Sequence, residues 1–444
     1  MESYVPSELI SEKRINFIKK SKASYIIKIL HEVYPYSARI VGGAIRDAIL
    51  NIELHDFDIA TSLLPNVVVE ILQSKGIKVV NQGIRFGTVI AVFADENIEI
   101  TTLRRDIKCY GRHAEVKFTS EYKIDAERRD FTFNALTYCI VQDKIFDYFC
   151  GVQDLSNKKI RFIGNTGLRI KEDYLRVMRF FRFASIYNFF MDEKDLFYCK
   201  SNLDLMIKNV SFHRIILELD LIIVKSTNLF HIFNIINDSK FFLSFFPVLN
   251  ISISSIFKKL NFFLNNFVSD SKTFIYDDLY KKCLYYAGLF FFSEVKVIKS
   301  SLKEKHFSKK SISIIVNLIK NSKHLGKLTT LYWKCNFRSI FSWIWFDLKD
   351  NFYFLCCNII LHGAYSNANY EDIIVCINYF KSRKRFSSPF TAKDILPHVK
   401  DKSCIKDYVK EIDLYWLKSG FSLSKNDLSE YFFSVILKKT TDKI

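Results

Sequence analysis

Over roughly the first 150 residues, the apolar positions switch repeatedly between helical spacing and the alternation of a half-buried strand. Residues 21–33 have helical spacing, 38–41 form a short strand, and 42–50 open a second helix. Residues 56–61 alternate like a strand, 67–75 are helical again, and 78–80 make another short strand. Residues 85–93 and 98–104 alternate as two strands joined by the turn Asp95-Glu96-Asn97. The polar stretch 106–115, with a glycine at Gly111, reads as a mobile loop. Past Phe162 the spacing is helical almost to the end, and Pro389 and Pro397 punctuate the last part of a chain with only six prolines. No internal repeat is visible. The pattern predicts an α+β protein, an α/β head followed by a long all-α body.

Composition narrows the class. A chain of 444 residues with 49% hydrophobic positions is globular and large enough for several cores, and much of its content of 43 Phe belongs to those cores. The net charge of +18 favours a polyanionic partner, with RNA, DNA and an acidic membrane surface all open. The densest basic run is residues 381–385, Lys-Ser-Arg-Lys-Arg. Ten cysteines occur without a Cys-x-x-Cys pair, which reads as reduced, mostly buried thiols. The polar, acidic start does not resemble a signal peptide, and the apolar runs 289–292 and 340–346 are far short of a membrane span. A soluble, cytoplasmic protein with no membrane association and no obligatory protein partner is expected.

Candidate chemistry begins at Val41-Gly42-Gly43-Ala44-Ile45-Arg46-Asp47, followed by Asp56-Phe57-Asp58. The glycine pair lets backbone amides approach a phosphate. On an extended strand Asp56 and Asp58 project from one face, a carboxylate pair suited to a hard cation such as Mg²⁺. Glu99, in Ile98-Glu99-Ile100, could join them, or could simply be a solvent-facing acid. Arg128 and Arg129 stand beside an expected helix start that Asp130 can cap. They offer donors to phosphate, or ion pairs to Asp125 or Glu127. Residues 172–182 read as one helix, placing Asp173, Arg176 and Arg179 on one face. An Asp and an Arg held together can read the amino group and ring acceptor of cytosine or adenine. The plain alternative is a helix-surface ion pair.

The ordered motifs GGAIRD, HDFDIAT, EITTLRRD, GRH, RRDFTFNAL, DYFCGVQDL, RFIG and EDYLRVMRFFRFA resemble the class II tRNA nucleotidyltransferase and bacterial poly(A) polymerase family. The resemblance is dense over residues 40–184, weaker through Ser211-Phe212-His213-Arg214-Ile215-Ile216-Leu217-Glu218, and faint over 390–428. It implies a polymerase-beta-like nucleotidyltransferase head with a mixed sheet at 1–150, a helical neck at 151–220, a tRNA-binding body at 221–355 and a tail at 356–444 that meets the tRNA elbow. It implies catalytic Asp56, Asp58 and Glu99, with Asp56 and Asp58 holding two Mg²⁺ ions. Nucleotide binding falls to Gly42, Gly43, Arg46, Arg128, Arg129, Asp130, Asn134, Asp173, Arg176 and Arg179, with Asp173 and Arg176 selecting CTP and ATP. Asp106, Gly111, Arg112 and His113 belong to a flexible loop that helps switch from C to A addition. The implied activity is addition of C, C and A to the 3′ end of tRNA. The alternatives are a poly(A) polymerase, a CC- or A-only enzyme, or a non-catalytic RNA-binding relative. Cys150-Gly151 replaces the family's usual Gly-Gly, and the tail lacks an expected Gly/Pro-rich turn. No His-Asp phosphohydrolase constellation follows the head.

Overall fold

The computed structural model describes residues 4–110, 113–238, 240–247, 249, 258–264, 266, 277–325, 341, 352–366, 368–381, 388–399, 402–419 and 422–437. It divides into two units, Met1–Phe245 and Phe246–Ile444. The first takes in the expected head and neck together.

Its strands are β1 (Tyr4–Pro6), β2 (Ala38–Val41), β3 (Asp58–Thr61), β4 (Lys78–Gly83), β5 (Thr88–Val92), β6 (Asn97–Thr102), β7 (Arg104–Tyr110), β8 (His113–Phe118), β9 (Thr137–Cys139), β10 (Lys144–Phe146), and the short pair β11 (Lys159–Ile160) and β12 (Phe190–Met191). Eight of them form one sheet in the order β1-β10-β9-β2-β3-β6-β5-β4. Within that sheet only β3 and β6 run parallel; the other neighbours are antiparallel. All four residues of β2 are buried, so this strand is covered on both faces. Even Arg39 is enclosed there, its guanidinium 3.9 Å from the Tyr122 ring and 3.8 Å from Phe146. β6 alternates, with Ile98, Ile100 and Thr102 inward and Glu99 outward.

The helices expected over 21–33, 42–50 and 67–75 are present, and two more, over 12–20 and 122–127, were not expected. α1 (Glu12–Lys20) is joined by Ser21 to α2 (Lys22–Val33), and the Ser21 hydroxyl caps α2 by accepting from the Ser24 amide at 3.2 Å. α2 buries Ile26, Ile27, Ile29 and Leu30. α3 (Gly43–Ile49), α4 (Pro65–Ser74) and α5 (Tyr122–Glu127) complete the head. Next come α6 (Gly151–Ser156), α7 (Thr166–Glu172), α8 (Arg176–Tyr187), α9 (Glu193–Ser201), α10 (Leu203–Asn209), α11 (Phe212–Lys225), α12 (Leu229–Asn237) and α13 (Phe241–Phe245). Phenylalanines join α8 to the head. Phe131 lies 4.8 Å from Phe162, which stacks on Phe180 at 5.6 Å, while Phe133 meets Phe183 at 5.6 Å.

Four local expectations are corrected. β3 starts at Asp58, leaving Asp56 in the preceding coil. Within the stretch read as a loop from Asp106 to Glu115, residues 106–110 belong instead to β7 and 113–115 to β8, with Asp106 opposite Val116 and Tyr110 opposite His113. Backbone pairing between two polar strands leaves no apolar alternation to read. Gly111 and Arg112 lie outside the described residues. The helix expected after Asp130 is a single tight turn, Thr132–Asn134, and the Asp130 carboxylate caps none of it. It accepts instead from its neighbour's amide, Phe131 N, at 2.8 Å. Finally, the helix expected over 172–182 breaks at Asp173, whose extended backbone separates α7 from α8. Its carboxylate accepts from the Leu175 amide at 3.1 Å, a local bond that competes with continuing the helix.

The second unit is helical throughout its described residues, with Asp278–Leu289, Val295–Glu304, Lys309–Leu325 and Phe352–Ser366 among its helices. Cys283, Cys356, Cys357 and Cys376 are buried there as thiols. Nearer the C-terminus, Phe390, Ile412, Trp416, Leu428 and Phe432 share a small core. Of the basic run, Lys381 closes a helix and 382–385 lie outside the described residues.

One substitution in the first unit carries a measurable cost. The Asp147 carboxylate accepts from the amides of Phe149, Gly151 and Val152 and so starts α6. That turn puts Cys150 at φ 60°, the left-handed region that favours glycine. Gly151 cannot be traded: an added Cβ would lie 2.5 Å from the Thr132 carbonyl oxygen. Cys150→Gly should stabilise the protein by about 1 kcal/mol, whereas Gly151→Ala should destabilise it by about 2 kcal/mol or more. Urea midpoints of the two variants check this; equal midpoints would contradict it.

Candidate active site

Gly42 ends β2 at φ 74°, and a Cβ there would lie 3.2 Å from a guanidinium nitrogen of Arg129. The backbone therefore turns tightly into α3 and leaves room for the arginine. The turn forms one wall of a cavity of about 580 Å³, with Gly42, Gly43, Ala44, Arg46 and Asp47 on this side. His55, Asp56 and Asp58 line it from β3 and the coil before it, and Arg129, Asp130 and Asn134 from the turn before β9. Asp173, Arg176, Arg179, Arg182, Phe183, Tyr187 and Lys225 close it from α8, α11 and the break before α8.

Each arginine of the cavity is anchored from behind by an acid. Arg46 makes a two-point pair with Asp47 at 2.8 and 2.9 Å, donates to the Asn134 side chain at 2.6 Å and lies 5.1 Å from the Phe183 ring. Tyr187 holds Asp47 from the other side at 2.9 Å. Arg129 pairs with Asp125 at 3.2 Å, and Arg128 with the same carboxylate at 2.9 Å. Burial works to raise the Asp125 carboxyl, but Arg129 and Arg128 together lower it. Arg179 holds Asp130 at 2.6 Å, and Asn134 donates to the same carboxylate at 2.9 Å. Burial again opposes ionisation, and the arginine and amide outweigh it, holding Asp130 at about 2. Glu218 of α11 stands 3.8 Å from Arg179 and 3.1 Å from Arg182.

The two halves of the expected base-reading pair sit on the same cavity, and each side chain has a partner of its own. Asp173 is gripped by Arg214 of α11, at 2.8 Å. Arg176 pairs with Glu172 at 2.6 Å and donates to the carbonyls of Arg169 and Arg128 at 2.8 and 3.0 Å. The Arg176 amide donates to the Asp173 carbonyl at 3.0 Å, and the helix break leaves the Asp173 carboxylate to Arg214 of α11.

A metal site is tested by its charges. Burial, then the nearby Glu99, raise the Asp58 carboxyl; Arg129 lowers it and Asp56 raises it further. Asp58 stands directly opposite Glu99 across the parallel β3–β6 pair. Crowded carboxylates with too little neutralising charge are what a divalent cation fits. Among the described residues no group of three or more His, Cys, Asp and Glu side chains forms a closed cage. An ion held by Asp56 and Asp58 would complete its shell with water and phosphate oxygen.

Of the residues singled out from the sequence, Gly42, Gly43, Arg46, Asp56, Asp58, Arg129, Asp130, Asn134, Asp173, Arg176 and Arg179 line one cavity. Arg128 supports it through Asp125 without lining it, and Glu99 acts on Asp58 from the next strand. Asp106 pairs with Arg104 at 3.6 Å in the hairpin. Sequence reasoning missed Asp47, Asp125, Glu172, Arg182, Tyr187, Arg214 and Glu218 as site residues. Arg214 and Glu218 carried a signal, since both lie in the family-like stretch 211–218.

Residues 38–161 match the poly(A) polymerase head domain. Over 407 residues the chain is 28% identical to the CCA-adding enzyme of Staphylococcus epidermidis, covering 89% of this chain and 93% of that one. The chain thus carries a poly(A) polymerase head domain over residues 38–161 and is similar to CCA-adding enzymes over most of its length. A shorter stretch of 165 residues is 46% identical to human CCA tRNA nucleotidyltransferase 1, mitochondrial, and spans 37% of each chain. The solved Thermotoga maritima CCA-adding enzyme complexed with tRNA-CCA has the same fold at a TM-score of 0.70 and 19% identity, over 98% of this chain and all 100% of that one. The Bacillus stearothermophilus CCA-adding enzyme in complex with CTP matches at 0.67 and 19%, over 95% and 98%. Family members typically use divalent metals, in keeping with the crowded carboxylates at Asp58.

The buried Asp130 makes the architecture pH-dependent. Its carboxyl titrates near 4 in an unfolded chain (about 3.9) and at about 2 when folded. Its contribution to stability is therefore complete above pH ~4 and is lost as pH falls toward 2. Asp130→Asn should cost about 3 kcal/mol at pH 7 by removing the nearer of the carboxylates that face Arg179, and should flatten the stability profile between pH ~4 and ~2. Urea unfolding across that range checks it; identical slopes in both proteins would be the contrary result.

Proposed function

We propose that this chain adds C, C and A to the 3′ end of tRNA from CTP and ATP, releasing pyrophosphate, without a nucleic-acid template. The observation that carries the reading is that one cavity combines three kinds of chemistry. It holds a carboxylate pair, Asp56 and Asp58; a cradle of Gly42, Gly43, Arg46 and Arg129; and the Asp173 and Arg176 side chains. The names of the human and S. epidermidis relatives point to the same activity.

In this reading Asp56 and Asp58, with Glu99 beside them, hold two divalent ions, taken to be Mg²⁺. Those ions would supply Lewis acidity to the attacking 3′-hydroxyl and to the leaving pyrophosphate. The glycine turn brings backbone close to the triphosphate, and Arg46 and Arg129 meet its charge as fixed guanidiniums. Asp173 accepts from the amino group of cytosine or adenine, and Arg176 donates to the ring acceptor. Uracil and guanine present a carbonyl instead of the amino group and leave the carboxylate unpaired, which costs about 1–3 kcal/mol. Arg214 and Glu172 keep those two side chains in place. Asp130, Asn134 and Arg179 set the wall between triphosphate and base.

The segments 1–150, 151–220, 221–355 and 356–444 are assigned as catalytic head, nucleotide-selecting neck, tRNA-binding body and elbow-contacting tail. The segment 106–115 is assigned to the switch from C to A addition. The chain's net charge of +18 suits a tRNA backbone. No described helix is long and apolar enough to cross a membrane. Cys139, Cys150, Cys199, Cys356, Cys357 and Cys376 are thiols rather than disulfides, which supports a cytoplasmic setting. Poly(A) polymerases share this type of head. The segment Glu-Ile-Thr-Thr-Leu-Arg-Arg-Asp at 99–106 favours CCA addition over them.

With CTP and ATP together, tRNA transcripts that end before CCA, after CC and after CCA should all sequence as completed CCA ends, while CTP alone should carry the first only to CC and ATP alone should complete only the second. Long adenosine tails would select the poly(A) alternative. Asp56→Ala or Asp58→Ala should lower incorporation by about a hundredfold or more with tRNA binding intact; near-normal incorporation would remove them from the metal site. Arg176→Ala should reduce discrimination against UTP about tenfold or more while tRNA affinity holds. Unchanged discrimination would end the base-reading assignment.

A further inference from the structure

A second groove, of about 990 Å³, lies beside the candidate active site. Lys13, Arg14, Phe17 and Lys20 of α1 form one side, and Asn51 and Glu53, just beyond α3, form the other. Leu54 lines both this groove and the nucleotide cavity, so the two adjoin at that residue, immediately before His55 and Asp56.

The groove's chemistry differs from that of the nucleotide cavity. Arg14 is fixed as part of the wall, donating to the Asn51 side chain at 2.7 Å and to the carbonyls of Asn51 and Ile52. Those partners are neutral, so its charge remains uncompensated. Lys19, on another face of α1, is committed to Asp143 at 3.3 Å. Lys13 and Lys20 are exposed, and no ion pair engages either one among the described residues. Three cations therefore face a single lining carboxylate, Glu53. Among them Phe17 is 53% exposed, and its ring lies 6.1 Å from that of Phe57, the residue between Asp56 and Asp58. An accessible aromatic ring flanked by uncompensated lysines is the chemistry that binds single-stranded nucleic acid, with phosphates on the cations and a base on the ring. The leaving pyrophosphate would use the cations but has no use for the ring.

We propose that this groove holds the single-stranded 3′ end of the RNA acceptor, its phosphates against Lys13 and Lys20 and a base against Phe17. The reactive hydroxyl then passes Leu54 to reach Asp56 and Asp58. The inference rests on the nucleotidyl-transfer reading and adds the path by which the acceptor strand arrives.

The test uses the full chain with Lys13 and Lys20 both replaced by Ala, and separately both by Glu. Each is compared with the parent for unfolding temperature, for RNA binding across a salt series, and for CTP incorporation into tRNA ending before CCA. The alanine pair should weaken RNA binding about tenfold near 0.1 M salt and lower the logarithmic salt slope by about 1.4, the value for two single-strand phosphate contacts. The glutamate pair should weaken it more. KM for RNA should rise accordingly, with kcat at saturating RNA, KM for CTP and unfolding temperature unchanged. Incorporation by the parent with unchanged RNA affinity and salt slope in both variants overturns the groove and leaves the enzymatic reading standing. A fall in kcat without a change in RNA affinity also overturns it. Loss of RNA binding in variants of a parent that incorporates nothing supports the groove and rejects the enzymatic reading.

Discussion

The buried carboxylate of Asp130 is the constraint on which the rest of the site depends. It lies between the turn that precedes β9 and helix α8, held by Arg179 at 2.6 Å and by Asn134 at 2.9 Å. Through Asn134 it reaches Arg46, Asp47 and Tyr187; through Arg179 it reaches Glu218 of α11. One connected polar network thus ties the glycine turn, the β9 approach and both long neck helices. Such a network is stable only when all its members are satisfied, because a lone charge in that setting is costly. The phenylalanine cluster around Phe131, Phe162, Phe180 and Phe183 covers its apolar side and excludes water.

The same network shows how the cavity manages its charge. It carries many guanidiniums, and each has an acid behind it: Asp47 for Arg46, Asp125 for Arg129, Glu172 for Arg176, Asp130 for Arg179, Glu218 for Arg182. An arginine oriented in this way can meet an anionic ligand without first losing side-chain freedom. The exception is the carboxylate corner of Asp56, Asp58 and Glu99, where negative charge is left in excess and the Asp58 carboxyl is raised. The groove along α1 shows the opposite imbalance, with Lys13 and Lys20 lacking such acids. Charge excess of opposite sign marks the places where a cation and a polyanion fit.

Legibility tracked the range of the interactions. β2, β6, α2 and α4 were readable because their apolar spacing is a property of a few consecutive residues. The β7–β8 hairpin was not, because polar strands pair through backbone groups that carry no side-chain pattern. The break at Asp173 was hidden for a different reason. Its neighbours favour helix, and a side-chain bond to Leu175 together with Arg214 from α11 overrides that preference.

By itself the sequence determined the α+β order of the first unit, the helical character of the second, and the residue types of the site. Glycines beside an arginine, aspartates two apart, and an Asp and Arg three apart are local facts, and their chemistry travels with them. Only the tertiary structure decided which of them share a cavity and what holds each one. Arg128 was drawn to Asp125 behind the wall, Asp173 to Arg214, and Arg176 to Glu172. Arg128 and Arg176 took acids three and four residues away, whereas Asp173 took a partner 41 residues on, since a charge removed from water takes whichever opposite charge the packed elements bring within reach.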